Sequence, residues 1–315
     1  MSGITFQGAL LSEVSDADLL SWCNQNLRSH KKHRLREDIA NLWIGIIRIF
    51  DEIEPPMTTR QVFYQAENRE LVPKTEPGYS KVQRQLLNAR RADVVPYEWV
   101  ADHTRWMRKP TTFNSIEDFL KRSQDAYRRS VWASQPDYVE IWIEKDALAG
   151  VIAPITERWD VPLMVTRGFT SESFAYSAAE SIKENGKPTY IYYFGDHDPS
   201  GVHISVDLEK KLRGFLSTTD IPFHFSRVAI LDHQISQHNL PTRPTKMSDT
   251  RAKNWDGESV ELDALRADVL REMVEHAITG HIDHSLFERT MAIERAERET
   301  LRNVRLATHF EEVPA

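Results

Sequence analysis

The sequence predicts an α/β protein in two parts, a helical amino-terminal part followed by a parallel sheet covered by helices. Three observations predict it. Apolar residues recur at helical spacing over residues 16–30 and 34–54. Four β-type runs, YVEIWI (138–143), PLMVT (162–166), TYIYYF (189–194) and PFHFSRVAIL (222–231), alternate with helix-like stretches at 146–158, 171–184 and 200–215. Such alternation implies a parallel sheet with helices on both faces. The last third, with Leu262, Leu265, Val269, Leu270, Met273 and Val274 in helical register, is mostly helical and charged.

In chain order, the 34–54 segment carries the strongest stripe (Ile39, Leu42, Trp43, Ile46, Ile47, Phe50, Ile53) and is ended by Pro55-Pro56. The basic run Arg28 to Arg36 stands at the junction of the first two helices, as a solvated helix end or a backbone contact. Thr58 or Thr59 can cap a third helix through Arg69, and Ser80 a fourth through about Ala92, with the loop VPKTEPGY between them. In the fourth helix Val82, Leu86 and Leu87 form the apolar stripe, while Lys81, Arg84, Asn88 and Arg91 take more exposed positions. VVPYEWV (94–100) then reads as a short strand or a wing. Helix-turn-helix with a wing is a common DNA-reading unit, although this loop is longer than the usual turn and helical hairpins without DNA are commoner. Residues 111–135 form a linker carrying one amphipathic helix (Ile116, Phe119, Leu120).

The chain of 315 residues, 40% hydrophobic, is long enough for two ordinary domains. Its start lacks a basic segment followed by an apolar run, and no stretch approaches the roughly 18 apolar residues of a membrane span, so a cytoplasmic protein is expected. The single cysteine, Cys23, excludes an internal disulfide and reads as a buried small hydrophobe. A net charge of −7 argues against a nucleic-acid partner, but residues 60–135 carry 14 Lys+Arg against 9 Asp+Glu. A basic module beside an acidic one suits a DNA grip next to a carboxylate metal site, and also suits ordinary solvated helix faces.

Working residues in open α/β sheets collect beyond the carboxyl ends of the strands. Two of the predicted strands end in acids, the first in Glu144-Lys145-Asp146 and the third in Gly195-Asp196-His197-Asp198-Pro199-Ser200-Gly201. Asp-x-Asp beside glycine and proline also serves as a polar turn capping a helix from Ser200. Apolar strands preceding both acids, at equivalent strand ends, favour a metal site. Glu144, Asp196 and Asp198 supply the hard oxygen donors that Mg2+ prefers, and Lys145 can orient a phosphate.

IWIEKDAL with the later GDHDPSG resembles a Toprim domain, whose signature is a glutamate after the first strand and Asp-x-Asp after a later one. Upstream, MTTRQVFYQ (57–65) resembles the catalytic-tyrosine motif of the topoisomerase VI A subunit and its meiotic double-strand-break relatives. The likeness covers about residues 57–270, including ESVELDAL (258–265), and is nearest to the compact Mini-A proteins of mobile elements. It implies a 5Y-CAP-like winged-helix DNA-binding domain at 57–110 and a Rossmann-like Toprim domain at 136–275, joined by the linker at 111–135; residues 1–56, which match nothing in that family, and residues 276–315 read as helical segments. Phe63 stands where the family often has a first tyrosine, leaving Tyr64 as the matching hydroxyl.

By that resemblance Tyr64, with Arg60 one helical turn earlier, is the nucleophile that joins a DNA 5′ phosphate, and Glu144, Asp196 and Asp198 hold Mg2+. Arg84, Asn88, Arg91 and Lys145 are the expected DNA contacts. The implied assembly is a homodimer on double-stranded DNA, nucleoid-associated, in which the tyrosine of one subunit serves the acids of the other. No GxxxxGK or ATP lid is present in the sequence, so ATP-driven strand passage would need a separate B-type ATPase subunit. Two alternatives stay open: a Toprim nuclease that hydrolyses DNA with a metal-activated water, and a non-catalytic DNA-binding protein.

Overall fold

The computed structural model describes residues 5–6, 9–30, 35–101, 111–245, 255 and 257–307. After a two-residue hairpin, β1 (Thr5–Phe6) and β2 (Ala9–Leu10), the chain enters helices α1 (Asp16–His30) and α2 (Glu37–Glu52). On α2, Leu42, Trp43, Ile46, Ile47, Ile49 and Phe50 are buried, the stripe expected from their spacing. The junction Arg28 to Arg36 lies largely outside the residues whose side chains are described.

Helix α3 (Thr59–Asn68) opens on a reciprocal capping box: Gln61 N–H donates to Thr58 Oγ1 at 3.0 Å, and Thr58 N–H donates to Gln61 Oε1 at 2.9 Å. Helix α4 (Glu76–Arg91) starts a turn earlier than its expected cap at Ser80; Thr75 is the cap, accepting Gly78 N–H at 3.2 Å. The Pro77-Gly78 pair that reads as loop punctuation is the first turn of the helix. Proline loses no hydrogen bond there, and a Cβ at Gly78 would stand 2.2 Å from the Pro73 carbonyl oxygen. The strand or wing expected at 94–100 is instead a 3-10 turn, Tyr97–Trp99. Among the described residues its only ladder contact is a bridge of Val100 to Met57, just ahead of α3, where one residue offers no length for a strand. Residues 102–110, where a wing would continue, lie outside the described residues. Helix α5 (Ile116–Ala126) follows, capped by Ser115.

The sheet is built as expected. β3 (Tyr138–Ile143), β4 (Leu163–Val165), β5 (Thr189–Phe194) and β6 (Phe223–Ala229) pair in the order β4-β3-β5-β6, all parallel. Helices α6 (Asp146–Arg158), α7 (Glu172–Asn185) and α8 (Pro199–Leu216) make the crossovers. Val139, Ile141 and Ile143 of β3 share one core with α6 and with α10 (Ala267–Thr279). Trp142 shares the other with α7 and α8. The alternation of β3 side chains between two cores is why its sequence is apolar apart from Glu140. Because β3 leads outward to β4 while β5 pairs on its other side, the strand order reverses between β3 and β5, the place where open α/β sheets bind ligands.

The chain continues through α9 (Asp232–Gln237), α10 and α11 (His284–Ala307). Helix α11 packs on α5, where Tyr127 Oη donates to Glu297 at 2.7 Å and Arg129 N–H to Glu294 at 2.8 Å. Among the described residues no helix is long and apolar enough to cross a membrane. Trp142 is fully buried and donates its indole N–H to Glu140 at 2.7 Å, the partner that lets a carboxyl remain in this core. Trp142→Ala is expected to cost about 3–5 kcal/mol, read as a lower urea midpoint at unchanged slope. A loss below about 1 kcal/mol would mean that the side chain is not a core anchor.

Candidate functional site

The register Ile143↔Phe194 brings the next residues of β3 and β5 together at the point of reversal. Asp196 N–H donates to Glu144 Oε2 at 3.1 Å. Gly195 permits this approach, since a Cβ there would lie 2.7 Å from the same oxygen. Burial, reinforced by the negative charge of Asp196, pushes the Glu144 carboxyl up to about 7. Burial also raises Asp196, against the pull of Lys145. Glu144 has no ion pair among the described residues. Beneath the loop, Arg227 donates to the carbonyls of Gly195 (3.0 Å), Asp196 and Gly201 (3.1 Å), fixing its backbone.

Asp198 does what a polar turn does: its Oδ1 caps α8 by accepting Gly201 N–H at 2.7 Å. Its Oδ2 is left free of the cap and lies 3.8 Å from Arg243. Both sequence readings of the Asp-x-Asp are therefore compatible with one geometry, one oxygen serving each. Among the described residues no three His, Cys, Asp or Glu side chains stand in a ready-made metal-binding arrangement. The donors nevertheless suit a divalent cation, because all are hard oxygens and the crowding of Glu144 against Asp196 is the repulsion such an ion offsets.

The segment resembling the late Toprim region lies across the Asp-x-Asp loop. His197 and Val260 exchange backbone hydrogen bonds of 2.9 Å, Leu262 N–H donates to Asp196 Oδ1 at 2.8 Å, and Ser259 pairs with Arg243. This sets Glu261 and Asp263 beside Lys145, whose Nζ is 2.8 Å from Asp263, 3.1 Å from Asp196 and 3.4 Å from Glu261. Glu261 also pairs with Arg60 of α3 and with Arg243. Thr58, ahead of α3, donates its hydroxyl to Asp263 at 3.1 Å. Although burial opposes it, Lys145, Arg60 and Arg243 pull the Glu261 carboxyl down to about 2. The roles of Glu261, Asp263, Arg243 and Arg227 do not emerge from the sequence reading; the one available signal is that Glu261-x-Asp263 repeats the acid spacing of Asp196-x-Asp198.

A cleft of about 700 Å3 opens between α3, α4 and the strand ends, its wall including Arg60, Tyr79, Gln83, Arg90, Glu144 and Lys145. Tyr64 is 7% exposed and is not among the residues that line this cleft. Burial, then the charge of Glu261, pushes its hydroxyl up to about 12. Arg60 lies over the Tyr79 ring at 5.1 Å as well as on Glu261. Of the expected DNA contacts, only Lys145 lies on the cleft. Arg84 and Arg91 are exposed and Asn88 is half-buried, and all three project from another side of α4. The helical repeat explains the split: Tyr79, Gln83 and Arg90 fall on one face, while Arg84, Asn88 and Arg91 lie roughly a quarter to half a turn away. Arg90, unforeseen, stacks over Tyr97 at 4.4 Å.

No protein-family model matches the chain, and no curated protein matches it.

Glu261, lowered on folding, stabilises the protein above the ordinary carboxylate range, and this contribution is lost as pH falls from about 4.5 toward 2. Glu261→Gln should therefore be less stable than wild type at neutral pH and converge on it in that acid window. Thermal unfolding from pH 7 to pH 2 checks this, and parallel curves would show that Glu261 gains nothing from its cations.

Proposed function

We propose that this protein cleaves double-stranded DNA by magnesium-dependent transesterification, as a topoisomerase VI A-like protein acting as a nucleoid-associated homodimer. The observation that carries the reading is the meeting of Glu144 and Asp196 at the strand-order reversal, on a cleft that also presents Arg60, Arg90 and Lys145. The resemblance of the Tyr64 and Asp-x-Asp motifs supplies the reaction type.

In this reading the cleft cations bind the DNA backbone. Glu144, Asp196 and the uncapped oxygen of Asp198 would hold a magnesium ion, whose charge offsets that developing on the phosphate and the leaving oxygen. The Tyr64 hydroxyl gives up its proton to solvent and attacks phosphorus; the new oxygen–phosphorus bond forms as the bond to the 3′ oxygen breaks. That oxygen takes up a proton and leaves as a 3′-hydroxyl, with the 5′ phosphate on tyrosine. Arg60 and Lys145 favour the phenolate by charge. Strand passage driven by ATP would require a separate B-type subunit.

A second reading, hydrolysis by a metal-activated water at the same acids, is favoured by one observation: Tyr64 is buried away from the cleft lining and its hydroxyl is raised to about 12. End-labelled duplex DNA, incubated with protein and magnesium and stopped with detergent, separates the two. Transesterification predicts a protein-linked 5′ end with wild type and a loss of at least about 100-fold in both Tyr64→Phe and Asp196→Ala. Free 5′ phosphates persisting in Tyr64→Phe would replace it with hydrolysis. Absence of cleavage under conditions where DNA is bound would refute both.

A further inference from the structure

Three cations from three separate parts of the chain converge on a single carboxylate. Arg60 comes from α3, Lys145 from the end of β3 and Arg243 from the loop after α9, and all three pair with Glu261. The two arginines grip opposite oxygens, Arg60 on Oε2 and Arg243 on Oε1, while Lys145 shares Oε2. Glu261 is sunk beneath them with its side chain 6% exposed, whereas the side chains of Arg60, Arg243 and Lys145 remain 39%, 35% and 22% exposed. The cations are thus reachable from solvent although their carboxylate is not. Two guanidinium groups and an ammonium around one anionic group form the donor set that recognises a phosphoryl group. Like the carboxylate, a phosphodiester presents two anionic oxygens, so it can replace Glu261 on the same donors.

We propose that Arg60, Lys145 and Arg243 form a cradle for a backbone phosphate of DNA, and that Glu261 is an internal anion holding it until DNA displaces it. The proposal rests on the reading of this cleft as a DNA-backbone site and adds how the site stays closed without DNA. Arg60 carries the coupling, being one helical turn from Tyr64 on α3. While Glu261 holds Arg60, α3 is tied down over the late segment through that ion pair and the Thr58–Asp263 bond, with Tyr64 buried. A phosphate that takes Arg60 and Arg243 from Glu261 removes the tie at the place where the nucleophile must emerge. Glu261 would then be left to Lys145, which already bridges it to Asp263 and Asp196.

Two measurements on the full chain, both in EDTA, test the cradle apart from any cleavage. In the first, binding of a fluorescent duplex is titrated for wild type and Glu261→Gln across a salt series. The variant, its cations released, should bind at least about tenfold tighter with a log–log salt slope steeper by about 0.9, the contribution of the one phosphate that the cradle takes. In the second, Glu261→Ala is melted in inorganic phosphate and in chloride at matched ionic strength. Phosphate should raise its melting temperature by several degrees more than that of wild type, because free anion fills the emptied position. Equal or weaker DNA binding by a folded Glu261→Gln, or equal phosphate effects on a folded Glu261→Ala and wild type, overturns the proposal. If Glu261→Ala does not fold, the Glu261→Gln titration decides alone. Tighter binding by Glu261→Gln in a protein that never cleaves DNA would keep the cradle and remove the catalytic reading; cleavage without these effects would do the reverse.

Discussion

Everything in this site depends on the parallel pairing of β3 with β5. The register sets the residue after Ile143 against the residue after Phe194, so the strand ends leave Glu144 and the Gly195-Asp196 turn side by side at the only reversal of strand order in the described sheet. Both are largely withdrawn from water, and one receives the backbone N–H of the other. Two neighbouring carboxyls that resist ionising together are an unstable arrangement unless a cation stands by. The fold answers this with Lys145, directly after Glu144, whose ammonium reaches Asp196 and the two acids of the overlying segment.

That answer explains why the segment 258–265 belongs to the site although it follows the sheet by some thirty residues. Lys145 alone cannot serve Asp196, Asp263 and Glu261, and the deficit is covered by Arg60 and Arg243 from outside the sheet. The electrostatics of the acid site therefore join α3 to it, beside the apolar core that Val62 and Phe63 share with Leu262 and Leu265. Arg266 on Glu52 and Arg271 on the carbonyls of Glu54 and Pro56 extend the same attachment to the end of α2. A buried network of this kind contributes little net stability for its cost of desolvation, but removing any one partner leaves a charge uncompensated. Its effect is to define one relative placement of the helical part and the sheet.

How much of this could be read from the residues follows the range of the interactions. The four strands and their crossovers were legible because each is a local pattern of period two or of helical spacing, and Glu144 and Asp196 because they end apolar strands. The start of α4 was not, because Pro77-Gly78 is ambiguous until Thr75 is seen to cap it. The wing at 94–100 failed because an apolar, aromatic run looks like a strand whether or not a partner exists to pair with it. Arg84, Asn88 and Arg91 read as exposed positions of α4, a property that identifies a solvated face but not which face borders the cleft. Glu261 meeting Arg60 across 201 positions has no local signature at all.

The same constraint bears on Tyr64. Its neighbours Arg60 and Lys145 favour a phenolate, while Glu261 and burial oppose it, and in this conformation the opposing pair prevails. The two opposing influences differ in origin: Glu261 supplies the negative charge, whereas the burial comes from the apolar core that Tyr64 shares with Val62 and Phe63. Neutralising or displacing that one carboxylate would remove the charge that opposes the phenolate and, with it, the ion pair that ties Arg60 of α3. A nucleophile restrained by the group that occupies its substrate's place is reactive only when the substrate is there, and under the proposed reading such a dependence would limit cleavage to bound backbone.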